Sequence, residues 1–332
     1  MKILFAIQGT GNGHISRARE VIPYLQQHGQ LDILVSGTQS DVQLPYELKY
    51  KLHGLSYTFG KNGGIDIWDS LKTLKTSKLI RDIRHLPVEQ YDIVINDFEP
   101  ISAWACKLKK KPCIALSHQQ SFLSDKTPRP QKKNHFAEQI FQHYAPSQPG
   151  YGFHFESYDS YIRTPIIRSE VRNLESTDKG HVTVYLPAYA DAYLIKYFEK
   201  IKTVRWEIFS KHSKQEFKQD HIHVRPIENE AYTRSLAECT GLITGGGFEA
   251  PTEAIFLGKK VMVIPMIGQY EQHCNALGAK KAGCTVVTEI NGNFLHQLNT
   301  WLEYGKNVHI NYPDETEMLI ASLFKEKKSF DL

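Results

Sequence analysis

His14 is the first residue in the chain whose type and place could do chemistry. It closes the run Gly9-Thr10-Gly11-Asn12-Gly13-His14, directly after the apolar stretch Lys2 to Ile7. Glycines between a strand and a helix let the backbone turn tightly and bring a ligand against the helix N-terminus, which marks Gly11 and Gly13 as ligand contacts. A histidine in the first helical turn feels the positive dipole end, which favours the neutral base suited to proton abstraction. The bland alternative is a histidine that only lines or caps the loop. The turn does not fit a dinucleotide fingerprint, because GxGxxG would need glycine at His14 and the second strand ends in Val35-Ser36 without an acid. No Gly-Lys-Ser or Gly-Lys-Thr follows, so a P-loop is excluded as well.

The second constellation is Thr244-Gly245-Gly246-Gly247-Phe248-Glu249-Ala250-Pro251-Thr252-Glu253. Amides of Gly245, Gly246, Gly247 and Phe248 could hold phosphate oxygens at a helix start and stabilise a diphosphate leaving group without Mg²⁺. Pro251 fits a first helical turn. Glu253 could take a ribose diol, or could simply be solvated. In the run Pro265 to Ala276, Glu271, Gln272 and Asn275 share a helix face, and their carboxylate and amide groups suit sugar hydroxyls. The alternative is an exposed polar helix start. Asp97 ends a probable strand, where it is a site residue or the N-cap of a helix beginning near Pro100. His118, Gln119 and Gln120 follow the next strand and could line an acceptor pocket or cap a loop.

These residues need a scaffold that brings strand ends together. Short apolar runs at Lys2–Ile7, Leu31–Ser36, Asp92–Asn96 and Pro112–Leu116 alternate with helical spacing, as at Ile15, Ala18, Ile22 and Leu25. The alternation restarts at Val182–Leu186, Val204–Phe209, Leu242–Ile243 and Val261–Ile264. Strand-helix-strand repeats predict parallel sheets covered by helices, hence an α/β protein of two doubly wound units with the site in the cleft between them. The Pro-punctuated Arg163-Thr164-Pro165-Ile166-Ile167-Arg168 reads as the join. Ser124 to Lys133, rich in Pro and charge, reads as a mobile loop.

The 332 residues suit two domains, and the net charge of +4 is too small to argue for nucleic acid. Five scattered cysteines without a CxxC pair read as free thiols of a reducing compartment. No run approaches the roughly 20 apolar residues of a membrane span. Lys72, Lys75, Lys78, Arg81 and Arg84 recur every third residue, and Lys107 with Lys109, Lys110 and Lys111 forms a second basic patch. Such runs are solvated faces or contacts for anionic lipid.

Taken together, Gly9–His14, Arg163–Arg168 and the stretch Arg225–Cys284 resemble MurG-like peptidoglycan N-acetylglucosaminyltransferases, monogalactosyldiacylglycerol synthases and their relatives. The resemblance implies a GT-B fold, with two Rossmann-like domains facing across a cleft. It implies an acceptor-side domain over residues 1–165, a donor domain over 166–312, and a terminal helix in 313–332 that packs back on the first. It also implies a nucleotide diphosphate sugar donor, UDP-linked above all, no cofactor or metal, and inversion. Carried over by position, His14 becomes the base, Ile227 sits beside the nucleobase, and Gly246 and Gly247 approach the diphosphate. Glu253 meets the ribose, and Glu271 with Gln272 meets the sugar. Plant UDP-glycosyltransferases, which this region is similar to, add the expectation that Asp97 orients His14. Leu186-Pro187-Ala188-Tyr189-Ala190 departs from the Gly/Ser-rich phosphate loop common in the family.

The expected function is therefore transfer of a hexose or N-acetylhexosamine to a hydroxyl acceptor, in the cytoplasm, with a peripheral membrane contact as an option. An epimerase of the same architecture and a non-catalytic nucleotide-sugar binder are the alternatives.

Overall fold

The computed structural model describes residues 1–37, 44–54, 58–59, 65–66 and 76–330. In chain order the first strands are β1 (Lys2–Gln8), β2 (Gln30–Ser36) and β3 (Tyr50–Leu52), then a separate antiparallel pair, β4 (Thr58–Phe59) and β5 (Ile65–Asp66). There follow β6 (Ile93–Asp97), β7 (Cys113–Ser117), β8 (Gln148–Phe153) and β9 (Ile162–Arg163). Apart from the separate pair these form one seven-stranded sheet, ordered β3-β2-β1-β6-β7-β8-β9 and parallel throughout.

The second sheet holds β10 (His181–Tyr185), β11 (Arg205–Ser210), β12 (Phe217–Gln219), β13 (Ile222–Pro226), β14 (Gly241–Gly245), β15 (Lys260–Ile264) and β16 (Thr285–Val286). Its order is β12-β13-β11-β10-β14-β15-β16, with only β12 antiparallel to its neighbour. Two such α/β sheets facing across a cleft are the GT-B architecture.

Side chains alternate between the faces of a strand, so a sheet covered on both sides needs apolar residues at every position. In β1, Ile3, Phe5 and Ile7 enter one apolar cluster while Leu4 and Ala6 enter another. In β15, Val261 and Val263 face one cluster and Met262 and Ile264 the other. The first of these clusters is continuous across both sheets and takes in Tyr312, Leu319, Ile320 and Leu323 near the end of the chain. The helix Thr316–Phe330 lies against the helix Asn12–Gln26, with Phe324 stacked on His28 at 4.2 Å and the Tyr151 and Ser322 hydroxyls 2.9 Å apart.

The topology brings the chemistry-bearing residues to two switch points. β1 lies between β2 and β6, so the chain leaves β1 and β6 in opposite directions and opens a crevice at their C-terminal ends. Ile7 and Asp97 are in register there. β10 lies between β11 and β14 in the same way, with Tyr185 opposite Thr244.

Ser124–Lys133 is irregular, as expected, but it is pinned rather than loose. Arg129 donates to the Phe122 carbonyl (2.6 Å) and to Glu138 (2.7 Å), and its guanidinium lies over the Phe122 ring. Thr127 Oγ1 donates to the Ser121 carbonyl at 2.6 Å. Composition showed the charge of this loop but not the carbonyls and rings that receive it. Lys72 and Lys75 of the basic run lie outside the described residues. Among the described residues no helix is long and apolar enough to cross a membrane.

Candidate active site

The cleft between the sheets holds a cavity of about 340 Å³ lined by both Gly-rich turns. Gly11 caps the helix Asn12–Gln26 at φ +88°, a left-handed conformation that only glycine takes without strain. The turn places His14 in the first turn of that helix, with its ring in the cavity wall.

His14 Nδ1 lies 2.9 Å from Asp97 Oδ1. Asp97 is fully buried, and burial alone would raise its pKa; Arg17, and then His14, outweigh that and hold the carboxyl below its ordinary value. An ionised carboxylate only accepts hydrogen bonds, so with the proton on Nδ1 His14 donates to Asp97 and turns the Nε2 lone pair to the cavity; Arg17 Nη2, 3.1 Å from the same Nδ1, is the competing contact. The alternative role for Asp97 is filled by another residue. Glu99 caps the helix Pro100–Leu108, accepting from the amides of Ile101 (2.8 Å) and Ser102 (2.6 Å).

Arg17 was not singled out by sequence reasoning, although it stands three residues after His14 and so shares its helix face. Its Nη2 donates to both Asp97 oxygens at 2.6 and 2.8 Å, and its Nη1 donates to Glu249 across the cleft. Asp97 thus has a cation beside it before any proton reaches His14, one that it shares with Glu249.

Because the folded-state pKa of Asp97 is depressed, its contribution to stability is present above the ordinary aspartate value of about 3.9 and is lost as pH falls through the lowered value. Thermal melts taken from about pH 6 downward should show the wild type losing stability below about pH 4. Asp97→Asn should start lower and fall less steeply in that limb. Parallel curves for the two proteins would refute the assignment.

On the donor side, β14 ends at Gly245 and the helix Glu249–Phe256 begins after Gly246-Gly247-Phe248. Gly245, Gly247 and Phe248 line the cavity, with Ile227 just past β13 and Glu253 one turn into the helix. Glu253 is 3% exposed and both its oxygens are held by Arg168, at 2.5 and 2.8 Å, so it is an ion-paired rather than a solvated carboxylate. Arg168 ends the Arg163–Arg168 segment, a position that offered a signal for this pair. Asn12 Nδ2 donates to the Tyr185 hydroxyl at 2.9 Å, a second polar tie across the cleft that the sequence did not announce.

Three expectations need correction. Gly246 is absent from the cavity wall, and its amide already donates to Gln272 Oε1 at 3.0 Å; a Cβ there would come within 2.7 Å of Gln272. Its lack of a side chain serves helix packing rather than phosphate approach. Gln272 does line the cavity, but its Oε1 also accepts from Met266 N at 2.9 Å, so its carbonyl end braces two loops rather than standing open to a sugar. Asn275 lies a turn deeper, 1% exposed, where its Nδ2 donates to the Gly246 carbonyl at 3.0 Å. Of the polar trio Glu271 and Gln272 reach the cleft, and Glu271 brings a carboxylate to it. Burial pushes that carboxyl up, and Gln119 Nε2 donates to it at 3.0 Å.

Gln119 and His118 also reach the cleft wall. His118 is braced: Nδ1 meets the Phe153 carbonyl at 2.7 Å, Nε2 meets the Asn275 side-chain amide at 2.8 Å, and the ring stacks on Phe248 at 4.1 Å. Burial lowers its pKa to about 3, so it stays neutral and structural.

A model of the family described as Glycosyl transferase family 1 matches residues 1–303. The chain belongs to that family. Among solved structures it is similar to MurG of Acinetobacter baumannii at 16% identity and a TM-score of 0.53, over 96% of this chain and 93% of that one. The glycotransferase of kitacinnamycin matches at 12% identity and 0.59, over 99% and 95%. The UDP-GlcNAc 2-epimerase from Neisseria meningitidis, bound to UDP-GlcNAc, matches at 12% identity and 0.62, over 98% and 100%. At such identities these likenesses show the shared fold. No curated protein matches the chain.

Proposed function

We propose that this family 1 chain is an enzyme that binds a nucleoside diphosphate sugar, UDP-linked first of all, and transfers its hexose or N-acetylhexosamine to a hydroxyl acceptor. The observation that carries the reading is His14: its Nδ1 is fixed by a buried, ionised Asp97 while its ring lines the cavity. In this reading Nε2 takes the acceptor proton as the hydroxyl attacks the anomeric carbon, and Asp97 stabilises the imidazolium that forms. The bond to the diphosphate breaks in the same displacement, with inversion. Amides of Gly245 and Gly247 and the start of the helix Glu249–Phe256 receive the departing charge, so no metal is required. Gly11 and Gly13 border the same gap, Glu253 faces the ribose, Ile227 the base, and Glu271 with Gln119 the sugar or acceptor.

Epimerisation of the donor is the second reading. Glu271, whose carboxyl burial pushes up, and Glu249 share the cleft with His14 and add acid and base groups that could exchange a proton at a ring carbon. The 2-epimerase stands as near in fold as the transferases do.

Purified protein incubated with a panel of nucleotide sugars, with and without cell extract and EDTA, separates the readings. Acceptor-dependent release of nucleoside diphosphate that survives EDTA supports transfer. Isomerised donor without an acceptor supports epimerisation. Binding without turnover leaves a non-catalytic binder, and strict Mn²⁺ dependence overturns the metal-free grip.

A peripheral contact with anionic lipid belongs to the transfer reading. Ile80 on the helix Thr76–His85 and Trp104 and Leu108 on the helix Pro100–Leu108 are exposed, and Lys78, Arg81, Arg84, Lys107, Lys110 and Lys111 lie on or just after the same two helices. The protein should cosediment with phosphatidylglycerol vesicles and not with phosphatidylcholine vesicles; equal partition would remove this contact.

A further inference from the structure

Glu249 stands where an incoming anion would go. Its carboxylate reaches across the cleft to Arg17, and a Cβ built on Gly13 would lie 2.4 Å from its Oε2. It therefore fills the gap between the two Gly-rich turns. The helix Asn12–Gln26 has no side-chain cap and no acid in its own first turn, so Glu249 supplies from the opposite half the negative charge that this helix start lacks. Arg17 is 4% exposed and its Nε has no partner among the described residues, so the guanidinium keeps an unused donor inside the site. The cavity wall holds Arg17, Arg168 and Lys211 beside Glu249, Glu253 and Glu271, and Asp97 also holds Arg17, so the cations do not outnumber the carboxylates. Arg168 is already committed to Glu253. A diphosphate that reaches Arg17 gains that cation only by taking it from a carboxylate.

We propose that Glu249 is a specificity-determining counter-anion: the diphosphate of the ligand displaces its carboxylate from Arg17, so the site admits ligands by the negative charge they bring. The inference rests on the nucleoside diphosphate sugar reading above. A ligand that reaches Arg17 with two negative charges repays the broken pair. A nucleoside that lacks phosphate leaves the pair intact and gains nothing from it. The same exchange loosens a polar tie between the two halves at the moment of binding.

Titration calorimetry with UDP, GDP, ADP and dTDP, and with the matching nucleosides, tests this on wild type, Glu249→Gln and Arg17→Met/Glu249→Gln. The diphosphate bound by wild type should bind Glu249→Gln at least about tenfold tighter, because no carboxylate remains to be displaced. Its nucleoside should bind both proteins equally, and the double variant should lose the gain. Unchanged or weaker diphosphate binding by Glu249→Gln overturns the proposal, as does an equal gain for the nucleoside. If wild type binds none of the four diphosphates, the parent reading fails instead, a distinct result. Should Glu249→Gln not fold, as judged by its melt, Glu249→Asp shortens the reach to Arg17 and should show the same preference for the diphosphate in smaller measure.

Discussion

Replacing His14 with alanine is expected to lower turnover of the nucleotide sugar by about 10²- to 10⁴-fold, the range usual for loss of a positioned general base. The loss should fall on kcat, because the ring contributes a proton acceptor in the transition state rather than a grip on the donor. Affinity for the nucleoside diphosphate, read by calorimetry, should stay within a few fold. Asp97→Asn should give a smaller loss in the same direction, since an amide can leave the wrong tautomer on the ring. If His14→Ala turns over donor and acceptor at the wild-type rate, the base lies elsewhere, and Glu271 is the next candidate by exposure to the cleft. Donor isomerisation that persists in His14→Ala would favour the epimerase reading.

The largest effect on stability is expected at Arg168. Arg168 is 5% exposed, and its guanidinium donates to both oxygens of Glu253, to Asn229 at 2.7 Å and to Glu170. Arg168→Met leaves the Glu253 carboxylate buried without its cation, which costs about 3–5 kcal/mol when a buried pair is broken from one side. Differential scanning calorimetry should record a fall in Tm of roughly 5–10 °C. Arg168→Met combined with Glu253→Gln should recover much of the loss, because no uncompensated charge then remains. A melt within a degree of wild type for the single variant would mean that water reaches Glu253 and the pair is not a buried one.

The scaffold was largely legible in the sequence, and the reason is visible in β1 and β15. A parallel strand covered on both faces must be apolar at successive positions, and that leaves an unbroken run that local inspection finds. The Gly-rich turns were legible for a related reason, since they follow such runs directly. The partners of the site residues were not. Arg17 meets Asp97 80 positions away and Glu249 232 positions away, and nothing local to any of them names the others. Helical spacing correctly grouped Glu271, Gln272 and Asn275 on one face. It could not say that this face slopes inward, so that Glu271 and Gln272 reach the cleft while Asn275 is buried against Gly246. The choice between two roles for Asp97 turned on Glu99, whose capping role is set by backbone amides that a sequence does not display.

The path of the chain also limits how the cleft can move. It passes from the first sheet to the second through Arg163–Arg168, and it returns in the helix Thr316–Phe330, which docks on Asn12–Gln26. Any opening of the cleft has to keep both connections and part the ties that span the gap, Arg17 to Glu249 and Asn12 to Tyr185. Gly13 and Glu249 face each other there, so the separation of this one pair measures how far the cleft has opened.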